Sequence, residues 1–143
     1  MSVEDNLRVL DAGDAAVNRK DWAAFENIID ESVVLHAPGL PAPIKGRPAA
    51  LEFIRGFMNA LPDFHIREVH TVAQGDWIAR EFVNTGTHTG PLVGADGRTI
   101  PPTNKRVEFT EMDLFKIEGG KVKEMRLYFD QLGFLAQLGI APG

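Results

Sequence analysis

Lys105–Ile117, KRVEFTEMDLFKI, and Val122–Asp130, VKEMRLYFD, are two alternating runs joined by Glu118-Gly119-Gly120-Lys121. A Gly-Gly pair between such runs predicts a two-residue hairpin turn, because the favoured turn needs positive φ at both central positions. Pairing Glu118 with Lys121 would set Ile117 opposite Val122, Phe115 opposite Glu124, Asp113 opposite Arg126, Glu111 opposite Tyr128 and Phe109 opposite Asp130. Side chains alternate with period two, so these residues would share one face. The opposite face would carry Thr110, Met112, Leu114, Met125, Leu127 and Phe129, read as core or subunit interface. The mixed face, if enclosed, is the candidate site; a bulge in either strand would invert part of it.

Upstream, Leu7, Leu10, Asp14 and Val17 follow a loose helical period, so residues 3–18 read as a helix. Asp21 is placed to cap a second helix carrying Trp22, Phe25, Ile28 and Ile29. Residues 32–36 read as a short strand, stopped by Pro38, Gly39, Pro41 and Pro43. Gly46-Arg47-Pro48 opens a third helix, which buries Leu51, Ile54, Phe57, Met58 and Leu61. Then come strand-like runs over 63–74 and 76–89, a Gly- and Pro-rich loop over 90–104, the hairpin, and a tail that could close over something. The fold class expected is α+β: a cone-shaped, curved antiparallel or mixed sheet with about three N-terminal helices on its concave side. Such a cone suits a small apolar ligand.

The 143 residues fit one domain over 1–143, with 44% hydrophobic residues to build its core. A net charge of −5 without a basic run argues against nucleic acid and anionic membrane. No apolar run approaches a membrane span, and the acidic start lacks a signal-peptide pattern. With no cysteine, disulfides and thiolate metal sites are excluded, and a cytoplasmic location is expected. No His/Asp/Glu set has convincing metal-ligand spacing; His65 and His70 have opposite strand parity.

Several stretches together resemble the SnoaL-like polyketide cyclase family, ester cyclases within the nuclear transport factor 2-like superfamily. They are Gly86-Thr87-His88-Thr89-Gly90, Pro101 through Val107, Asp113-Leu114-Phe115, Gly120 through Glu124, Asp130-Gln131-Leu132-Gly133 and Gln137-Leu138-Gly139. The likeness is strongest over 83–139. The resemblance implies a cystatin-like cone and intramolecular aldol condensation, a lyase or isomerase type of chemistry that uses no metal or organic cofactor. It also implies a general acid/base aspartate in the last strand, matched here by Asp130. Family members commonly carry tryptophan where this chain has Arg126.

The expected function is therefore a cofactor-independent cyclase acting on a small hydrophobic carbonyl compound, in a homodimer formed through the outer sheet face. The expected substrate-binding residues are His36, Phe57, Phe82, His88, Phe109, Glu111, Asp113, Arg126 and Tyr128. An Asp113–Arg126 pair is expected across the hairpin, with Arg126 about 13 Å along the strand from Asp130. Burial of Asp130 among Phe109, Tyr128 and Phe57 would raise its pKa toward that of a useful base. Other readings remain. Asp130 could cap a helix starting at Gln131, and His36 and His88 could be structural. The same cone could also house an epoxide or ester hydrolase using Asp130 and Arg126, or a non-catalytic binder of apolar molecules.

Overall fold

A computed structural model describes residues 2–94 and 97–140. The element order is α1 (Val3–Arg19), α2 (Trp22–Asn27), β1 (Ile29–His36), β2 (Ile44–Lys45), α3 (Arg47–Ala60), β3 (His65–Gln74), β4 (Trp77–Thr87), β5 (Leu92–Val93), β6 (Thr99–Ile100), β7 (Arg106–Glu118), β8 (Lys121–Phe129) and α4 (Gln131–Gln137). Six strands form one mixed sheet in the order β2-β1-β8-β7-β4-β3, while β5 and β6 pair separately. The β1–β8 pair is parallel and the others are antiparallel. Helices α1 and α3 pack on one face of this sheet, α1 against β3 and α3 against β1.

Local signals account for the element ends. Ser2 and Asp5 form a capping box at the start of α1, and Lys20 ends that helix in the left-handed region at φ 61°. Asp21 caps α2 by accepting the Ala24 N–H at 3.1 Å. That helix stops at Asn27, so Ile29 lies in β1 rather than on the helical face expected for it. Gly46 precedes α3 at φ 94°, with Pro48 in the first turn.

The Gly-Gly turn forms as expected, with φ of 58° at Gly119 and 76° at Gly120. The register behind it does not hold. Glu118 pairs with Lys121 and Ile117 with Val122, but Lys116 pairs with Glu124, leaving Lys123 as one extra residue in β8. This β-bulge turns the rest of β8 over. Met125, Leu127 and Phe129 point to the helices, and Glu124, Arg126 and Tyr128 lie on the outer face. The Lys123 ammonium pairs with Asp30 of β1 at 2.8 Å, which fixes the bulged residue to the neighbouring strand. Strand β7 turns the parity of the candidate site inward, with Val107, Phe109, Asp113, Phe115 and Ile117 buried.

Two apolar clusters fill the space between sheet and helices. The larger one is built on Leu10, Phe25, Val33, Leu35, Ile54, Ile78, Phe82, Phe115 and Met125. The smaller one holds Leu61, Phe64, Val107, Phe109, Phe134 and Leu138, with Phe57 and Phe129 packed against it. In it Phe134 of α4 meets Phe109 at 5.2 Å and Phe57 at 5.7 Å between ring centroids, so the C-terminal tail closes over the aromatic end of the sheet.

Candidate active site

Alternation along β7 places Phe109 in the aromatic cluster and Phe115 in the larger cluster, both on the inner face. Glu111 and Asp113 lie between them on that face, so two carboxyl groups occupy the seam between two apolar bodies. In β4 Phe82 is registered opposite Glu111 and Arg80 opposite Asp113; in β8 the partners are Phe129 and Leu127. Asp113 is 6% exposed. Glu111 accepts a hydrogen bond from Asn84 Nδ2 at 3.1 Å, and Asn84 itself is buried.

Burial pushes Asp113 well above the ordinary carboxyl range, and the neighbouring Glu111 charge, its hydrogen bond to Asp113 and the Asp14 charge push it further. Burial also raises Glu111, against the opposing hydrogen bonds from Asp113 and Asn84. With Asp113 buried and Glu111 half-buried beside it, both carboxyl groups hold protons more tightly than exposed ones, Asp113 the more so. Asp113 Oδ1 and Asn84 Oδ1 are buried acceptors without a partner among the described residues. Each therefore has unused acceptor capacity inside the protein.

A shallow groove of about 350 Å³ runs past the end of β1, lined by His36, Ala37, Pro38, Leu127, Tyr128 and Phe129. Leu127 and Phe129 are also the residues registered opposite Asp113 and Glu111. The groove thus passes the two β8 residues that are registered opposite the carboxyl pair.

The structure redistributes the residues expected to form the site. Glu111, Asp113, Phe82 and Phe109 come together on the inner face, with Phe57 at the aromatic end. Asp130 does not join them. It is exposed, and its Oδ1 accepts the Gly133 N–H at 2.8 Å as the N-cap of α4. Its place as a buried acid/base is thus corrected to the capping role, because the bulge sends the strand end outward. The Asp113–Arg126 pair is absent for the same reason. Arg126 is registered with Leu114 and binds Glu124 at 2.8 Å on the outer face. The cross-strand Glu111–Tyr128 contact also fails, since Tyr128 is opposite Met112 and 53% exposed.

His36 lies beside Arg126 on that outer face, with Nε2 at 3.4 Å from Glu124, and reaches the groove rim. His88 is fully buried away from the pair. Its Nδ1 accepts the Thr103 N–H at 3.2 Å, which leaves the ring proton on Nε2, and burial lowers its pKa. It ties the end of β4 to the loop before β7 and reads as structural.

Three contributors were not singled out from the sequence: Asn84, Arg80 and Asp14. The first two had a signal in Ile78-Ala79-Arg80-Glu81-Phe82-Val83-Asn84, where polar residues hold the same parity as Ile78 and Phe82. Polar groups at core parity mark a site or a buried network. Among the described residues no cluster of His, Cys, Asp and Glu could hold a metal ion, and no helix is long and apolar enough to cross a membrane.

Comparison with known proteins places the chain in a family. The family model for SnoaL-like polyketide cyclases matches residues 7–138. The aklanonic acid methyl ester cyclase DnrD of Streptomyces peucetius is 32% identical over 121 residues, covering 83% of this chain and 78% of that protein. The nogalonic acid methyl ester cyclase of Streptomyces nogalater is 32% identical over 94 residues, covering 64% of this chain and 66% of that protein. Among solved structures, AclR of Streptomyces galilaeus superposes with a TM-score of 0.83 at 22% identity, over 99% of this chain and 100% of that one. At that identity the likeness is one of fold.

Proposed function

The chain belongs to the SnoaL-like polyketide cyclase family, and from that premise we propose that it closes a ring in a small, hydrophobic, enolisable carbonyl compound by intramolecular aldol chemistry, with Glu111 and Asp113 as the acid/base pair. Relatives named as aklanonic and nogalonic acid methyl ester cyclases support a methyl ester substrate. What supports the assignment to these residues is the adjacent Glu111–Asp113 pair on the inner face of β7, with Asp113 buried and Asn84 bonded to Glu111, whereas Asp130 is exposed and caps α4.

In the proposed cycle the Glu111 carboxylate removes a proton alpha to a carbonyl. The resulting enolate carbon attacks a second carbonyl of the same molecule, forming the C–C bond as the π electrons move to oxygen. That oxygen takes the proton held by Asp113, and the proton gained by Glu111 passes to Asp113. The pair ends with the protons it began with, so neither metal nor organic cofactor is needed for the balance. A carboxyl group titrating near working pH can act in both directions, and its raised affinity for protons makes Glu111 a stronger base than an exposed glutamate. Leu127, Phe129 and Phe109 supply apolar walls that hold the folded substrate near its attack geometry. Asn84 orients Glu111, and its free Oδ1 accepts from a substrate hydroxyl.

The test is steady-state ring closure of an aromatic polyketide methyl ester by Glu111→Gln and Asp113→Asn. Each is expected to lower kcat by about 10²–10⁴-fold, the usual worth of a positioned acid or base, with ligand binding retained. Undiminished turnover in both folded variants would remove the pair from the mechanism.

A further inference from the structure

Arg80 is 2% exposed and lies directly across from Asp113 in the β4–β7 ladder. A buried cation beside a buried carboxyl would ordinarily pair with it. Here its bonds go elsewhere. Nη1 meets Asp14 at 2.8 Å and Asp11 at 2.9 Å, both on α1, and Nε meets Glu68 at 2.7 Å and Thr71 Oγ1 at 2.8 Å, both on β3. Thr71 in turn donates to Glu68. Three carboxylates converge on one guanidinium, and among the described residues no bond from it reaches Asp113.

We propose that Asp14, with Asp11 and Glu68, is a positioning device that draws the Arg80 guanidinium toward α1 and β3, leaving the Glu111–Asp113 pair without a cation of its own. This rests on the reading of that pair as the acid/base. An arginine bound to Asp113 would stabilise its carboxylate and strip the pair of that proton. Other elements offer no substitute. Strand β8 presents Met125, Leu127 and Phe129 to the pair, β7 flanks it with Phe109 and Phe115, and α3 presents Leu51, Ile54 and Met58 to the clusters on either side. The charged groups around Asp113 are thus Glu111 on its own strand, Arg80 on β4, Asp14 and Asp11 on α1, and Glu68 on β3. The acidic trio acts twice: it occupies the cation, and the Asp14 charge itself disfavours an Asp113 carboxylate.

The decisive measurement is the protonated-carboxyl infrared band that Asp113→Asn removes, followed against pH in the full-length protein. In the double variant Asp11→Asn/Asp14→Asn, Nη1 loses both carboxylates. The midpoint of the band is expected to fall by about 1 pH unit or more, the usual effect of an opposite charge gained at close range. The alkaline limb of the kcat profile, where Asp113 loses that proton, should fall with it, and Asp14→Glu should restore both. If the double variant does not fold, Glu68→Gln removes the carboxylate at Nε instead and should move the same midpoint downward. A midpoint that stays in place in a folded variant overturns the proposal. The band reports Asp113 without turnover, so the two readings fail separately. An active Asp113→Asn variant sinks the mechanism, whereas an unmoved band sinks only the role of the trio.

Discussion

Asp14→Asn should make the protein more resistant to rising pH, and the size of the effect follows from the site. Burial raises Asp14 from 3.8 to about 6, even though Arg80 pulls the other way. Between those values the folded protein holds a proton on Asp14 that the unfolded chain has released. Stability contributed by this group is therefore complete below the ordinary carboxyl value and is lost as pH climbs through about 6. At about 1.4 kcal/mol per pKa unit the full span is worth about 3 kcal/mol, of which about 2–3 kcal/mol falls between pH 4 and pH 7. Asparagine cannot titrate, so the stability of the variant minus that of the wild type should grow by that amount over the window. Urea unfolding followed by the fluorescence of Trp22 and Trp77 reads this directly. With a slope of about 2 kcal/mol per molar, the midpoints should separate by about 1 M more at pH 7 than at pH 4. Any pH-independent cost of the substitution cancels in the comparison between pH values. A difference that stays flat from pH 4 to pH 7 would refute the claim that Asp14 is desolvated, and with it the crowding of carboxyl groups around Arg80.

Asp130→Ala should cost about 0.5–2 kcal/mol as a lost helix cap while leaving turnover per folded molecule at the wild-type level; a hundredfold drop in kcat in the folded variant would return catalysis to the strand end. Gly90→Ala should destabilise by about 1–3 kcal/mol or more, since a Cβ there would stand 2.2 Å from the Asn59 carbonyl oxygen. Gly56→Ala, in the open middle of α3 with nothing within 4 Å, should stabilise by about 1 kcal/mol, so thermal melts of equal midpoint for the two variants would contradict the packing described.

The sequence by itself determined the order of the three N-terminal helices and the long strands, the Gly119-Gly120 turn and the grouping of Glu111 and Asp113 with Phe109 and Phe115 on one face of β7, but not the short strands β2, β5 and β6. Those features are local. Positive φ selects glycine, and a period-two run puts Phe109, Phe115 and Ile117 on one parity with Glu111 and Asp113; that this parity and not Met112 and Leu114 faces the helices was decided by packing. The facing of β8 was beyond such reading, because its own run, Met125-Arg126-Leu127-Tyr128-Phe129, is apolar enough to be buried on one parity and mixed enough to look functional on the other. One unpaired residue, Lys123, decided it, and its partner Asp30 lies 93 residues away on a parallel neighbour. That single insertion moved Arg126, Tyr128 and Asp130 to the outside and put Leu127 and Phe129 against the carboxyl pair. The course of Arg80 was likewise settled by α1 and β3, since a guanidinium goes to the carboxylates that packing brings nearest rather than to its neighbour in the ladder.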